Sequence, residues 1–280
     1  MGGFSVSEKA PFVVTCEHGG NRIPERYATF FSGQDPLLGS HRGWDPGALP
    51  LARTLARRLV APLFFSTVSR LLVDLNRSIH HPRLFSDITG GLPLFERQRI
   101  LERWYHPYRQ RVTATMEEVM GSGAPVVHLS IHTFTPVLKG DVRQVEIGLL
   151  YDPSRERERG LCQGLKRDLS GRLSSGPDPL RIRMNQPYQG RSDGFTTWLR
   201  KQYPPEAYLG IEVEVNQGLI FEREEAWGVA RGAILRAFEA LMEGDPQPTQ
   251  TPRTTPALRK RSVPDTASGS RPYRPATASL

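Results

Sequence analysis

The stretch PVVHLSIHT, residues 125–133, alternates between apolar and polar side chains from Val127 to His132, and GIEVEVN, residues 210–216, does so from Ile211. A two-residue period is that of a β-strand, whose successive side chains point to opposite faces. In the first stretch His128, Ser130 and His132 share one face, and Val127, Leu129 and Ile131 the other. In the second, Glu212, Glu214 and Asn216 lie opposite Ile211, Val213 and Val215. Carboxylates in a buried strand are costly unless they are paired, hold a metal or take part in catalysis. A solvated edge strand produces the same alternation, so the pattern leaves both readings open.

Working outward, β-branched apolar runs predict further strands at 11–16 (PFVVTC), 70–75 and 145–151. Helical stretches separate them. Residues 46–60 are expected to form a helix with Asp45 as N-cap and Pro46 in its first turn. A second helix spans most of 94–120, kinked or split by Pro107. A charged surface helix is expected over 155–173 and a closing helix over 222–243. Strands alternating with helices predict an α/β fold, with a mostly parallel or mixed central sheet and helices on both faces. In such sheets ligands sit beyond the carboxyl ends of the strands.

With 38% hydrophobic and 24% charged residues in a chain of 280, a core of ordinary size is within reach. No apolar run approaches the ~18 residues of a membrane helix. The start, MGGFSVSEKAPFVV, has no basic segment followed by an apolar one, so no leader is expected and the location is read as cytoplasmic. Two cysteines, Cys16 and Cys162, exclude a disulfide scaffold and a zinc-finger array. The net charge is +8, and residues 245–280 carry half of it, with six basic residues against two acidic ones. That segment is rich in Pro, Thr and Ser and has no apolar periodicity. The expected organisation is therefore one α/β body over 1–244 and a disordered tail over 245–280. A solvated tail is the expectation, and an arm for nucleic acid or another anion the alternative. No membrane partner is expected.

Polar residues collect at the strand ends. The first strand runs into Glu17-His18-Gly19-Gly20-Asn21, where a histidine at a tight turn suits either a metal ligand or a capping role. Asp74, Asn76 and Arg77 close the segment 70–77; a guanidinium there can bind a carboxylate bidentately or form a structural ion pair with Asp74. His132 lies at a strand exit, whereas His128 lies deeper and reads as structural. Cys16, inside an apolar strand, reads as a buried thiol rather than a nucleophile. There is no HExxH, no P-loop and no GxGxxG. Two histidines and several carboxylates at one crevice favour a single zinc-type site with about three protein ligands and one open position.

Seven segments carry a resemblance: CEHGGNRIP (16–24), HRGWDPGA (41–48), LLVDLNRS (71–78), SIHTFTP (130–136), EIGLLYDP (146–153), NQPYQGRSDG (185–194) and GIEVEVNQGLI (210–220). In this order they resemble the N-formylglutamate amidohydrolase family. The resemblance implies a fold related to zinc carboxypeptidases and hydrolysis of an N-acyl amino acid with one divalent metal ion, zinc. It implies His18 and His132 as metal ligands, Asn76 and Arg77 as the holders of the substrate carboxylate, and Glu214 rather than Glu212 as the catalytic base. Related sites often draw a carboxylate ligand from His-x-x-Glu, and here that position is Asn21. The carboxylate ligand is then expected from Asp45, with Glu17 as second choice. Arg143 or Arg183 is the candidate for a second substrate carboxylate. Two other functions stay open: a related hydrolase acting on another acyl amino acid or peptide, and a binding protein with a degenerate metal site.

Overall fold

The computed structural model describes residues 11–174 and 179–243. The tail expected beyond 244 lies outside them. Among the described residues, six strands form one sheet: β1 (Phe12–Cys16), β2 (Leu63–Phe65), β3 (Val126–Phe134), β6 (Ile147–Leu150), β7 (Ile182–Met184) and β8 (Tyr208–Asn216). Their order is β2-β1-β3-β8-β6-β7, and the short β4 (Val137–Leu138) and β5 (Asp141–Val142) make a separate hairpin. Every neighbouring pair in the large sheet is parallel except β6 with β8, which is antiparallel. The sheet is thus mixed and mostly parallel, as the alternation of strands and helices predicts.

The helices are α1 (Asp35–Gly39), α2 (Ala48–Arg58), α3 (Asp87–Gly90), α4 (Leu94–Ile100), α5 (His106–Gly121), α6 (Glu156–Leu173), α7 (Phe195–Gln202), α8 (Gln217–Glu222) and α9 (Glu224–Glu243). On one face of the sheet, Val14, Leu129, Ile131, Ile211 and Val213 pack with Leu51 and Leu55 of α2, Leu165 and Leu169 of α6, and Ile234 and Phe238 of α9. On the other, Val13, Val126 and Tyr208 pack with Tyr108 and Val112 of α5 and Phe195 and Leu199 of α7. The sheet is buried from both sides, and all nine residues of β3 and of β8 are inaccessible. The solvated-edge reading of the carboxylate strand is therefore wrong: β8 is central.

Three local expectations need correction. Residues 70–75 form no strand. Their backbone and that of the flanking turn are bonded elsewhere, Leu72 N–H to Ser69 O (3.0 Å) and Asp74 N–H to Leu84 O (2.8 Å). The apolar run is real, since Leu71, Leu72, Val73 and Leu75 are all buried, but burial alone does not distinguish a strand from a packed loop. The helix expected from 46, α2, begins at Ala48, and Gly47 at its N-cap has φ of +88°, so Asp45 does not cap it. Pro107 does not break the long helix: a π-helical turn, Leu101–Tyr105, joins α4 to α5 just before it and widens the coil where the ring removes a donor. The closing helix forms as expected, Glu224–Glu243, and a short α8 precedes it, separated at Arg223 (φ −135°, ψ 60°); Asn216 caps α8 by accepting from Gly218 N–H at 2.9 Å.

Candidate functional site

β1, β3 and β8 all deliver polar side chains to one end of the sheet. β1 leads directly into Glu17 and His18, both buried, and Gly19-Gly20 then turn the chain away. Gly20 passes so close to the 66–68 loop that a Cβ there would stand 2.7 Å from Thr67 O. β3 brings Ser130 and His132, and β8 lies in register with it, Ser130 opposite Glu212 and His132 opposite Glu214. Paired residues of neighbouring strands share a face, so these four side chains stand together.

Both imidazoles turn Nδ1 inward to the same atom. His18 Nδ1 lies 3.2 Å and His132 Nδ1 2.8 Å from Asp45 Oδ2, with ring centroids 5.0 Å apart. Their outer nitrogens are engaged. His18 Nε2 meets Asp74 Oδ1 at 2.7 Å; His132 Nε2 meets Ser130 Oγ at 2.9 Å and Glu17 Oε2 at 3.3 Å. Carboxylates behind a histidine fix its ring orientation and raise its basicity, which is how metal-binding imidazoles are held. Asp45 is free to face them because its loop is pinned otherwise. Its N–H donates to His18 O (2.9 Å), and the Thr133 hydroxyl donates to Pro46 O (2.8 Å). The left-handed Gly47 then turns into α2, with no room for a side chain: a Cβ would meet Ile220 Cδ1 at 2.8 Å. His18, Asp45 and His132 each offer a ligand atom, and these lie within 4.8 Å of one another. Two inward nitrogens, one carboxylate oxygen and braced outer nitrogens fit a divalent ion. Glu17, the second-choice ligand, stands behind His132 on the Nε2 side, and its other oxygen accepts from the Tyr108 hydroxyl at 3.0 Å. Asn21 is exposed and donates to Leu38 O at 3.2 Å.

The electrostatics divide the carboxylates into two kinds. Burial opposes charge on Asp45, Asp74 and Glu17, yet their basic neighbours outweigh it and hold all three well below the usual carboxylate range. For Asp74 the strongest neighbour is Arg70, whose Nη2 lies 2.7 Å from Asp74 Oδ2 while Nη1 lies 3.5 Å from Asp45 Oδ1. His132 is pushed up: burial disfavours its charge, but the bonds to Asp45 and Glu17 prevail. Glu214 goes the other way. Burial pushes its carboxyl up to about 8 against the pull of His132, with the charge of Asp45 adding to the rise. Its Oε2 is buried without a hydrogen-bond partner. Glu212 is engaged instead, accepting from the Thr196 hydroxyl of α7.

Asn76 and Arg77 border the same site. Asn76 Oδ1 accepts from Phe195 N–H (2.7 Å), and its Nδ2 lies 3.4 Å from His132 Nε2. Arg77 Nη1 donates to Asp193 O at 3.0 Å, and a quarter of its side chain is exposed. The buried Arg109 holds this loop from behind. Its Nη2 donates to Leu75 O (3.2 Å) and Arg77 O (2.7 Å), and its guanidinium stacks on Tyr105 (4.5 Å) and Phe195 (4.6 Å). Arg143 donates to the Tyr188 hydroxyl (2.9 Å) and stacks on Tyr188 and Phe134. Tyr188 feels the charges of Glu214 and Asp45, so this pair flanks the site. Arg183 is exposed on β7 and, among the described residues, bonds the adjacent Ile182 O at 3.4 Å.

His128 sits deeper, 2.8 Å from Thr15 Oγ1 and 2.7 Å from the Tyr208 hydroxyl, and burial pushes it down to about 4, so it is a neutral structural residue. Cys16 is a buried thiol pushed up first by burial and then by the charge of Glu17. Sequence reasoning missed Arg70, Tyr108, Arg109, Tyr188 and Thr196. None lies in a periodic polar pattern, and Tyr108 meets a partner 91 residues away.

The model of the N-formylglutamate amidohydrolase family matches residues 10–221. The chain belongs to that family. Among solved structures, this amidohydrolase family member is similar to a gene product of Agrobacterium tumefaciens at 32% identity, over 86% of this chain and 92% of the other, with a TM-score of 0.67. It is also similar to N-formylglutamate amidohydrolase from Ralstonia eutropha at 19% identity, over 84% of this chain and 94% of that one, with a TM-score of 0.61. The second likeness bears on the fold. No curated protein sequence matches the chain. No helix among the described residues is long and apolar enough to cross a membrane.

Proposed function

We propose that this chain hydrolyses the amide bond of an N-acyl amino acid with one divalent metal ion, zinc, held by His18, Asp45 and His132, and that its substrate is N-formylglutamate, cleaved to formate and glutamate. The observation that carries this reading is the convergence of two imidazole Nδ1 atoms on Asp45 Oδ2 beside the unpartnered carboxyl of Glu214. Family membership supports this choice of substrate.

When bound, the ion supplies Lewis-acid activation of water and of the scissile carbonyl. The chain's own residues do the rest. Glu214 takes a proton from the attacking water and delivers it to the leaving nitrogen, so that the amide C–N bond breaks to an acid and an amine. Its raised affinity for protons suits a group that must both accept and return one. Arg77, braced by Arg109 and Tyr105, binds the α-carboxylate bidentately and fixes the amide over the site. Asp74 and Glu17 keep the two imidazoles in orientation. Arg143, held against Tyr188 on the flank, takes the side-chain carboxylate of glutamate, while Arg183 stands apart.

Two measurements on purified protein test this: elemental analysis of bound metal, and hydrolysis of a panel of N-formyl, N-acetyl and N-succinyl amino acids. About one zinc per chain and fastest turnover of N-formylglutamate are expected. Metal-loaded protein that hydrolyses none of the panel points to a binding protein, and preference for another acyl group moves the substrate within the family.

A further inference from the structure

Away from this site, a cleft of about 190 Å3 opens between the 65–68 loop and the start of α5. Arg22, from the loop after β1, Arg103 of the π turn and Arg111 of α5 line it together with Trp104 and Tyr108, and no aspartate or glutamate does. Some other arginines have carboxylate partners: Arg26 with Glu96, Arg70 with Asp74, Arg200 with Glu158. Among the described residues Arg22 and Arg103 make no such pair, and the Arg111 guanidinium bonds only Pro107 O at 3.3 Å. Three like charges gathered in one concavity repel one another, and a bound anion reverses that cost. Guanidinium forks match the oxygens of a phosphate group, and an aromatic wall lowers the local dielectric around them. Tyr108 closes the floor. Its hydroxyl is already committed to Glu17 Oε1 and Phe64 O, which separates the cleft from the histidines beyond Glu17.

We propose that Arg22, Arg103 and Arg111 form a binding site for a phosphate group, separate from the substrate clamp at Arg77. The cleft has several times the ~30 Å3 share of one water, enough for a phosphate or the phosphoryl end of a larger molecule. The test is calorimetric titration of inorganic phosphate, and in a second arm phenyl phosphate, into metal-loaded full-length protein in chloride buffer of matched ionic strength. Wild type, Arg22→Gln/Arg103→Gln and Arg77→Gln are compared, with circular dichroism to confirm that each is folded. Saturable binding is expected in wild type and in Arg77→Gln, with Kd weakened about tenfold or more in the double variant. Tighter binding of phenyl phosphate than of phosphate identifies the phosphoryl end of a larger ligand as the natural occupant; equal binding identifies free phosphate. Phosphate binding that is unchanged in the double variant, that disappears only in Arg77→Gln, or that does not exceed the response to chloride overturns the proposal. Amide hydrolysis by the double variant is expected to match wild type, so the outcome is independent of the function proposed above.

Discussion

The two faces of β3 and β8 are both buried and do opposite work. On one, Leu129, Ile131, Ile211, Val213 and Val215 meet α2, α6 and α9. This packing is non-directional, and fully burying each such side chain contributes roughly 1.5–3 kcal/mol. On the other, His128, Ser130, His132, Glu212 and Glu214 are buried too, and each polar atom needs a specific partner. Deep in the sheet that requirement is met: His128 between Thr15 and Tyr208, Ser130 with Glu17, Glu212 with Thr196. Toward the carboxyl ends it is met by a shared oxygen of Asp45, and at Glu214 it fails. The chemistry is proposed at the place where polar satisfaction runs out.

Substitutions on the two faces should therefore separate metal and turnover from stability. His18→Ala and His132→Ala are expected to lose bound metal and all measurable hydrolysis; stoichiometric metal in either variant, by elemental analysis, removes that residue from the ligand set. Glu214→Gln should keep its metal and lose about 10²–10⁴-fold in kcat. Retained turnover would pass the base role to Glu212 and erase the distinction between the two glutamates. Leu129→Ala on the apolar face is expected to lower stability by about 2–5 kcal/mol in a denaturant titration, with metal affinity unchanged. Glu17→Gln, behind His132, should weaken metal binding about 10–100-fold while the fold persists; an unaltered metal titration would mean that Ser130 alone orients the ring.

A further effect is one of pH, in metal-free protein. Folding moves the Glu214 carboxyl from its ordinary 4.5 up to about 8. The folded state therefore holds a proton that the unfolded chain releases, and stability falls as pH rises from 4.5 to 8. A glutamine side chain at this position cannot titrate, so Glu214→Gln should melt like wild type near pH 4.5 and above it near pH 8. A constant difference in Tm across that range would show that the carboxyl titrates normally.

Much of this was legible in residue order. Alternation in 125–133 and 210–216 set strands, faces and the polar cluster, because a two-residue period leaves only one way to bury the leucines and isoleucines. His18 and His132 stood out as polar residues at strand exits, whereas Glu214 was set apart from Glu212 only by the family resemblance. Asp45 was harder to read: Asp before Pro is a good helix start, and only the left-handed Gly47 and the bonds from Thr133 and to His18 release its carboxylate from capping. The strand expected at 70–75 failed for a related reason. An apolar run states that a segment is buried, not which carbonyls its N–H groups will find, and here Leu84 O and Ser69 O were nearer than the sheet.

By itself, then, the sequence determined the α/β class, the two-faced strands and the residue types of the site, since these depend on local periodicity and on the cost of burying charge. Tertiary structure alone decided which carboxylate faces the histidines, which braces them and which is left with a proton. Those outcomes depend on contacts between residues far apart in the chain, His18 with Asp74 across 56 positions and Tyr108 with Glu17 across 91. No local pattern encodes such separations, because the energy of each contact exists only once packing has brought both partners out of water.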